Sequence, residues 1–400
     1  MRIVHIEDIF YPEAGYQVNI LAKYEVMEGH EVYIITCPME FWDPQRKEFW
    51  GADNIEERDR KYEQESGARV VRFPTLKKYS SRILYKKGFS KYLEELKPDI
   101  CFIHAESSFV TLQYLLKYNR LKFPIIMDSH SLEMAAANPH RYQFYKLYRK
   151  VFLPIIKKNN LYIIRTQDDD FLMRQLGIPA EQAPFISFGS DLTAFHPDAE
   201  TRKRLREELE IPQDAFVIIN TGKLTKDKGG LLFAEALKKK FPSDREVVLI
   251  TVGTPTNDEY GLSVSALLDK SENRVIRIPT QKYYDLAKYY QASDLSVFAR
   301  QCSLSFYDAQ ACGLPVILED NSVNRERVSH NNGKVFPAGD AAALTKAIGD
   351  YLDLPAEEFR ALSENAVRFI EKDYNYAVIS AQYTALMQET IENFKRKKRK

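Results

Sequence analysis

Short, almost wholly apolar runs alternate along this chain with longer stretches whose apolar residues recur every three or four positions. Residues 2–6 read RIVHI and residues 31–37 read EVYIITC. Runs like these suit strands buried on both faces, as in a parallel sheet. Between them lie a loop, EDIFYPEAGYQ, and an amphipathic stretch over 18–28. The order strand, loop, helix, strand marks a βαβ unit. Further buried strands are expected at 68–73, 99–105, 124–130 and 161–166.

A polar, charged segment at 196–215 interrupts the series, and the pattern then restarts. FVIINTG (216–222) is a strand running into a loop; 246–253, 275–278, 295–299 and 315–320 continue the set. The expected fold is α/β, with two Rossmann-like domains facing across a cleft. The expected boundaries are 1–195, 196–375, and a C-terminal helix with a basic tail, 376–400, packing back toward the first domain. The tail FKRKKRK (394–400) reads as a frayed end. Ligands of open α/β sheets bind beyond the carboxyl ends of the strands. Two such domains suit an enzyme that joins two substrates.

Composition narrows the partners. The 400 residues carry a net charge of +1, which offers nucleic acid no general field. Cys37, Cys101, Cys302 and Cys312 form no CxxC pair and sit among apolar neighbours, arguing against zinc and disulfides. The first residues, MRIVHIEDIF, do not resemble a signal peptide, and no apolar run approaches the ~20 residues of a membrane span. A cytoplasmic protein is expected.

Two segments carry candidate chemistry. TGKLTKDKGG (221–230) follows a strand and enters a helix near Gly229. It fails the Walker pattern, because Asp227 stands where the second glycine belongs, and it fails G-x-G-x-x-G. Gly222, Lys223 and Lys228, with free N–H groups at a helix start, nevertheless suit a diphosphate. A surface turn with solvated lysines is the alternative. The second segment, FARQCSLSFYDAQACGLPVILED (298–320), places Ser303, Leu304 and Ser305 before a helix that carries Asp308. Their N–H groups suit an anion or hydroxyl pocket. Asp308 suits ribose hydroxyls, or is a solvated helix carboxylate.

These segments resemble the retaining family 4 of GT-B-fold glycosyltransferases. The family's G-R-L-x-x-x-K-G stands here as residues 222–229, with Lys223 for the arginine and Lys228 matched. Asp308, followed by AQACGLPV, resembles the second of the family's two glutamates; Arg300 occupies the position of the first. Residues 11–36, 187–197, 289–299 and 331–348 resemble further family segments in the family's order, with Tyr16 in place of the second glycine after Gly15. The resemblance implies a nucleotide-sugar donor held by Gly15, Tyr16, Gly222, Lys223, Lys228, Arg300, Ser303, Leu304, Ser305 and Asp308. It implies transfer with retention to a glycan or lipid-linked acceptor, with no metal or other cofactor. Arg300 would pair with Asp308 or with an acidic sugar or phosphate. A catalytically silent nucleotide- or glycan-binding homologue and a sugar-nucleotide epimerase are the competing readings.

His130 ends an expected strand, and the resemblance places a histidine there beside the donor sugar; Asp128 and His104 are alternatives, and His5 reads as core. The cluster TQDDDF (166–171) reads as helix-start charge rather than a metal motif. Two stretches, 76–92 and 140–158, interleave aromatic and basic residues. They suit either an anionic membrane surface or helices with inward-packed aromatics.

Overall fold

The structure, a computed structural model, describes residues 1–51, 53–132, 141–300 and 303–399. Cys302, His140 and Lys400, which fall within segments considered above, lie outside the described residues. Contacts divide the chain into two units, residues 1–188 with 376–400, and residues 189–375.

The first unit is built on β1 (Arg2–Ile6), β2 (Glu31–Thr36), β3 (Arg69–Arg72), a hairpin of β4 (Thr75–Tyr79) and β5 (Arg82–Tyr85), then β6 (Ile100–Ile103), β7 (Ile125–Ser129) and β8 (Ile163–Arg165). All but the hairpin form one parallel sheet in the order β3-β2-β1-β6-β7-β8. The central strands are buried on both faces, as their unbroken apolar runs require.

The second unit holds β9 (Phe216–Thr221), β10 (Val247–Val252), β11 (Arg274–Ile278), β12 (Leu295–Phe298), β13 (Val316–Glu319) and β14 (Gly333–Phe336), in the order β11-β10-β9-β12-β13-β14, again all parallel. Both sheets therefore run 3-2-1-4-5-6 in their own chain order. The order reverses between β1 and β6 in one, and between β9 and β12 in the other. Those two switch points are where an open α/β sheet leaves a crevice for ligand.

Two expectations need correction. The break falls after Phe188, not at residue 195, because Ser190 N donates to Tyr374 O and Phe195 packs on Tyr283 and Tyr290. The charged segment at 196–215 holds the helix Ala199–Glu208, capped by Asp198, and its fully buried Arg206 is held by Asp294 and by the carbonyls of Ala292, Gln213 and Ala215. The basic tail is not frayed. The helix Tyr376–Lys398 runs to its end with Phe394 buried beside Tyr118, Lys398 donating to Asn119 O and Lys397 to Asn159. That helix lies against the helix Gln17–Met27 of the first unit, where Gln17 Nε2 donates to Tyr383 OH at 2.5 Å.

Candidate active site

In the second unit, the segment at 222–230 folds tightly beyond the end of β9. Gly222 N donates to Val252 O, and Lys228, Gly229 and Gly230 N–H groups donate to Thr225 O, Lys226 O and Thr225 O. Leu231 N donates to Tyr260 OH. The amides of residues 228–231, at the helix start expected to be free for an anion, are thus already hydrogen-bonded, three within the turn and one to Tyr260 of another helix. That helix, Gly230–Ala236, has only seven residues, so its dipole adds little. The positive charge of the loop rests on its lysines. Lys223 and Lys228 are half-buried, while Lys226 is exposed. Gly229 has φ +74°, and a Cβ there would stand 3.0 Å from the Cβ of Arg300. Gly253, which no motif singled out, is tighter; a Cβ there would come within 2.0 Å of Gly222 O. The end of β10 thus presses the 222 turn into place.

The loop after β12 meets this turn directly. Arg300 donates from Nη1 to Lys226 O at 3.4 Å and faces Glu319 at 3.7 Å, at the end of β13. The arginine therefore pairs with Glu319 and not with Asp308. Leu304 occupies the N-cap position of the helix Ser305–Ala311 without a side-chain capping bond, and the Ser303 carbonyl accepts from Arg327. Asp308 is buried rather than solvated. Its Oδ1 accepts from Ser190 Oγ at 2.6 Å and from Tyr283 OH at 2.9 Å. Burial pushes its carboxyl up to about 7, against the pull of those two hydroxyls. Tyr283, Ser190 and Glu319 escaped the motif reading, since nothing local marks a hydroxyl or acid that meets its partner across the fold.

The first unit gathers a different set at its switch point. His130 follows β7 with its side chain 46% exposed. Its Nε2 lies 2.8 Å from Gln17 Oε1 and 3.2 Å from Asp128 Oδ2, both acceptors, so Nε2 carries the ring proton. Desolvation opposes charging this ring, but Asp128, Glu7 and Glu106 together raise its pKa. Asp128 is fully buried. Burial alone would raise its carboxyl, yet His104 and His130 hold it well below the usual range. His104, His5 and Glu25 continue the cluster inward, and Asp128 Oδ1 accepts from Ala105 N at 2.9 Å. His5 is core, as expected, but it is also wired into this chain. Beside it, burial pushes Glu7 up to about 8 and Asp8 to about 7. The reactive atoms of His104, Asp128 and His130 lie within 4.8 Å of one another. Their contacts at 2.8 and 3.2 Å are hydrogen-bond distances, each bridged by a proton. Gly15 and Tyr16 lie between β1 and the helix Gln17–Met27; Tyr16 is its N-cap and is exposed.

The aspartate cluster is structural: Asp169 caps Phe171 N at 2.7 Å, and Asp168 and Asp170 face Arg165 and Arg174. The stretch at 76–92 is not one helix. It forms the β4–β5 hairpin and then the helix Phe89–Leu96, with Tyr85 stacked on Phe89. The stretch at 140–158 supplies the helices Arg141–Val151 and Leu153–Asn159. The two stretches meet. Arg82 lies over the Phe144 ring, and Tyr79, Arg82, Glu106, Arg141, Phe144 and Tyr145 line one cavity of about 730 Å³. Among the described residues, no helix is long and apolar enough to cross a membrane.

Comparison with known proteins fits this arrangement. Residues 201–369 match the family model of glycosyl transferases group 1. A D-inositol 3-phosphate glycosyltransferase of Catenulispora acidiphila is 28% identical over 202 residues, 48% of this chain and 48% of that protein, so the match spans about half the length of each. The putative colanic acid biosynthesis glycosyltransferase WcaL of Escherichia coli is 21% identical over 319 residues, 73% of this chain and 71% of its own. Among solved structures, a glycosyltransferase from Rickettsia africae superposes with a TM-score of 0.73 at 17% identity, covering 98% of this chain and 99% of that one. Anabaena HepE, solved in complex with UDP, gives 0.72 at 16% identity, covering 97% and 100%. The fold is that of the GT-B glycosyltransferases, two parallel six-stranded sheets.

Proposed function

We propose that this protein is a glycosyltransferase that moves a sugar from a nucleoside-diphosphate sugar to a glycan or lipid-linked acceptor. The reading rests on one observation above the rest. The 222–230 turn sits at the switch point of the second sheet with Lys223 and Lys228 half-buried and Lys226 exposed, within the stretch that matches the group 1 family model. A departing nucleoside diphosphate gathers negative charge, and preplaced ammonium groups stabilise it without reorganisation. Neither Asp308, buried under two hydroxyls, nor Glu319, which faces Arg300, suits a nucleophile. That favours retention by front-face attack, with the leaving phosphate assisting the acceptor, over a double displacement through a covalent sugar–enzyme ester. In this reading His130 takes a sugar hydroxyl, and no metal is required. The aromatic and arginine-lined cavity of the first unit suits an acceptor with an anionic, amphipathic character, and its basic surroundings suit work at a membrane face in polysaccharide or glycolipid assembly.

The test is thermal shift against UDP, GDP, ADP and their sugars, followed by product analysis. A ligand of the native state raises the melting temperature by mass action. Stabilisation by one nucleotide family, lost in Lys228→Ala, is the expected result; an unchanged shift in that variant removes the diphosphate assignment. An inverted anomeric carbon in the product, read by NMR, removes retention. The Arg300–Glu319 contact favours a second reading, because the charge that replaces the family's first glutamate is already met within the protein. In that reading the protein binds nucleotide without turning it over.

A further inference from the structure

We infer that the first unit carries a basic face that docks on an anionic phospholipid surface, at the end of its sheet opposite the switch point. The inference goes beyond the transferase reading and stands without it. β7 and β8 begin at Ile125 and Ile163, and the segments just before them receive the ends of three helices. The helix Phe109–Leu116 runs into a short 3-10 helix, Tyr118–Arg120; the helix Leu153–Asn159 stops before β8; and the helix Tyr376–Lys398 reaches both. Lys398 Nζ donates to Asn119 O at 2.9 Å, Lys397 donates to Asn159 Oδ1, and Lys397 lies over the Tyr118 ring, 5.5 Å from its centre. Basic residues crowd these ends. Lys117 and Arg120 bracket the 3-10 helix, Lys157 and Lys158 lie in the last turn of the second helix, and residues 395–398, KRKK, form the last turn of the third. All eight are exposed.

Charge balance separates a docking face from a set of helix caps. Helix carbonyl ends attract cations, and three ends together are equivalent to about 1.5 negative charges. The eight residues carry eight positive ones. Carboxylates do not supply the difference. Lys122 is taken up by Glu94 at 2.6 Å, but among the described residues none of the eight makes an ion pair. The long helix carries two acids before its last turn, Glu389, bonded by Tyr162 OH, and Glu392. Neutral oxygens of Asn119 and Asn159 steady the lysine heads instead. Partial burial, and then the charges of Lys158 and Lys398, lower the pKa of Lys397. The fold thus gathers like charges that repel one another, and an anionic surface laid against them relieves that repulsion. An apolar contact beside the charge selects among anions. Leu116, Pro154, Ile155 and Lys158 line one cavity of about 210 Å³, and Leu116 is 61% exposed. Apolar side chains next to clustered lysines suit the boundary between headgroups and acyl chains. A nucleic acid backbone offers those apolar groups nothing.

The experiment is sedimentation of the full chain, without nucleotide or acceptor, with vesicles of phosphatidylcholine alone and of phosphatidylcholine and phosphatidylglycerol in equal parts. Binding should appear only with the anionic vesicles and should fall steeply as salt is raised. The triple variant Lys117→Gln, Lys157→Gln, Lys158→Gln should bind roughly 100-fold more weakly, since each basic residue near the surface is worth about 1 kcal/mol, or roughly fivefold. A control with Lys203→Gln, Lys239→Gln and Lys270→Gln, three exposed lysines of the second unit, removes the same charge and should bind like the wild type. Both triple variants should melt with the wild type, because exposed lysines contribute little to stability. Leu116→Ser should weaken vesicle binding several-fold. No sedimentation with anionic vesicles overturns the inference, and so does a first triple variant that binds like the wild type or a control that loses as much. An unaffected Leu116→Ser overturns the choice of lipid. Capture of the wild type by polyglutamate but not by vesicles also overturns it, and gives the face to an acidic protein. A failure of the transferase reading appears instead as no transfer by the wild type, with vesicle binding intact.

Discussion

The two units share one strand order and place different chemical groups at its switch point. At the switch point of the first, the chain places Glu7, Asp8, His104, Glu106 and Asp128, titratable groups whose pKa values are shifted by burial and by one another. At that of the second it places glycines, which release the backbone to turn, and lysines, whose charge is fixed near neutral pH. A fold sets where a site lies, not what the site does. In the proposed function the first site would hold a neutral sugar through hydrogen bonds and the second would neutralise a diphosphate.

The contrast is most directly broken at Lys228. Lys228→Ala should lower kcat/KM by roughly 100-fold or more, as loss of one preplaced electrostatic group typically does, and steady-state kinetics with the stabilising donor check it. A loss below tenfold would mean that fixed charge is not the working principle of the second unit.

Asp308 is the exception that sharpens the comparison, a proton-dependent group inside the fixed-charge unit. Its folded pKa, about 7, lies above the unfolded value of about 4. The native state therefore keeps a proton that the unfolded state loses first, and stability falls as pH rises from about 4 through about 7. Asp308→Asn should remove this loss, worth roughly 3 kcal/mol between pH 5 and pH 8, measured by urea unfolding at the two pH values. Equal slopes in variant and wild type would show that the carboxyl ionises freely.

Smaller effects test the backbone. Gly229→Ala, at φ +74° and with Arg300 Cβ 3.0 Å away, should cost about 1–2 kcal/mol of stability and weaken nucleotide binding, because the turn that aims Lys228 relaxes. Lys226→Ala is the control. Exposed beside the two half-buried lysines, it should change stability by no more than about 0.5 kcal/mol and leave the thermal shift intact. A loss of binding in this variant equal to that of Lys228→Ala would erase the distinction drawn between the lysines of one loop.

The sequence by itself determined the two parallel sheets, since a strand buried on both faces must be apolar throughout and a crossover helix must repeat near every fourth residue. It marked Gly222, Lys223 and Lys228 for the same kind of reason: a turn that needs positive φ and ionic groups just beyond a strand end are written locally. Tertiary structure alone decided the β4–β5 hairpin, whose alternating lysines and aromatics read equally well as a helix face, and the capture of the C-terminal helix by the first unit. It alone decided that the loop amides at 228–231 would be spent internally and that Arg300 would meet Glu319. It alone assembled Glu25, His5, His104 and Asp128, drawn from positions 25, 5, 104 and 128, into one chain. Hydrogen bonds between side chains so far apart in sequence leave no periodic trace; only packing brings the atoms within reach of a shared proton.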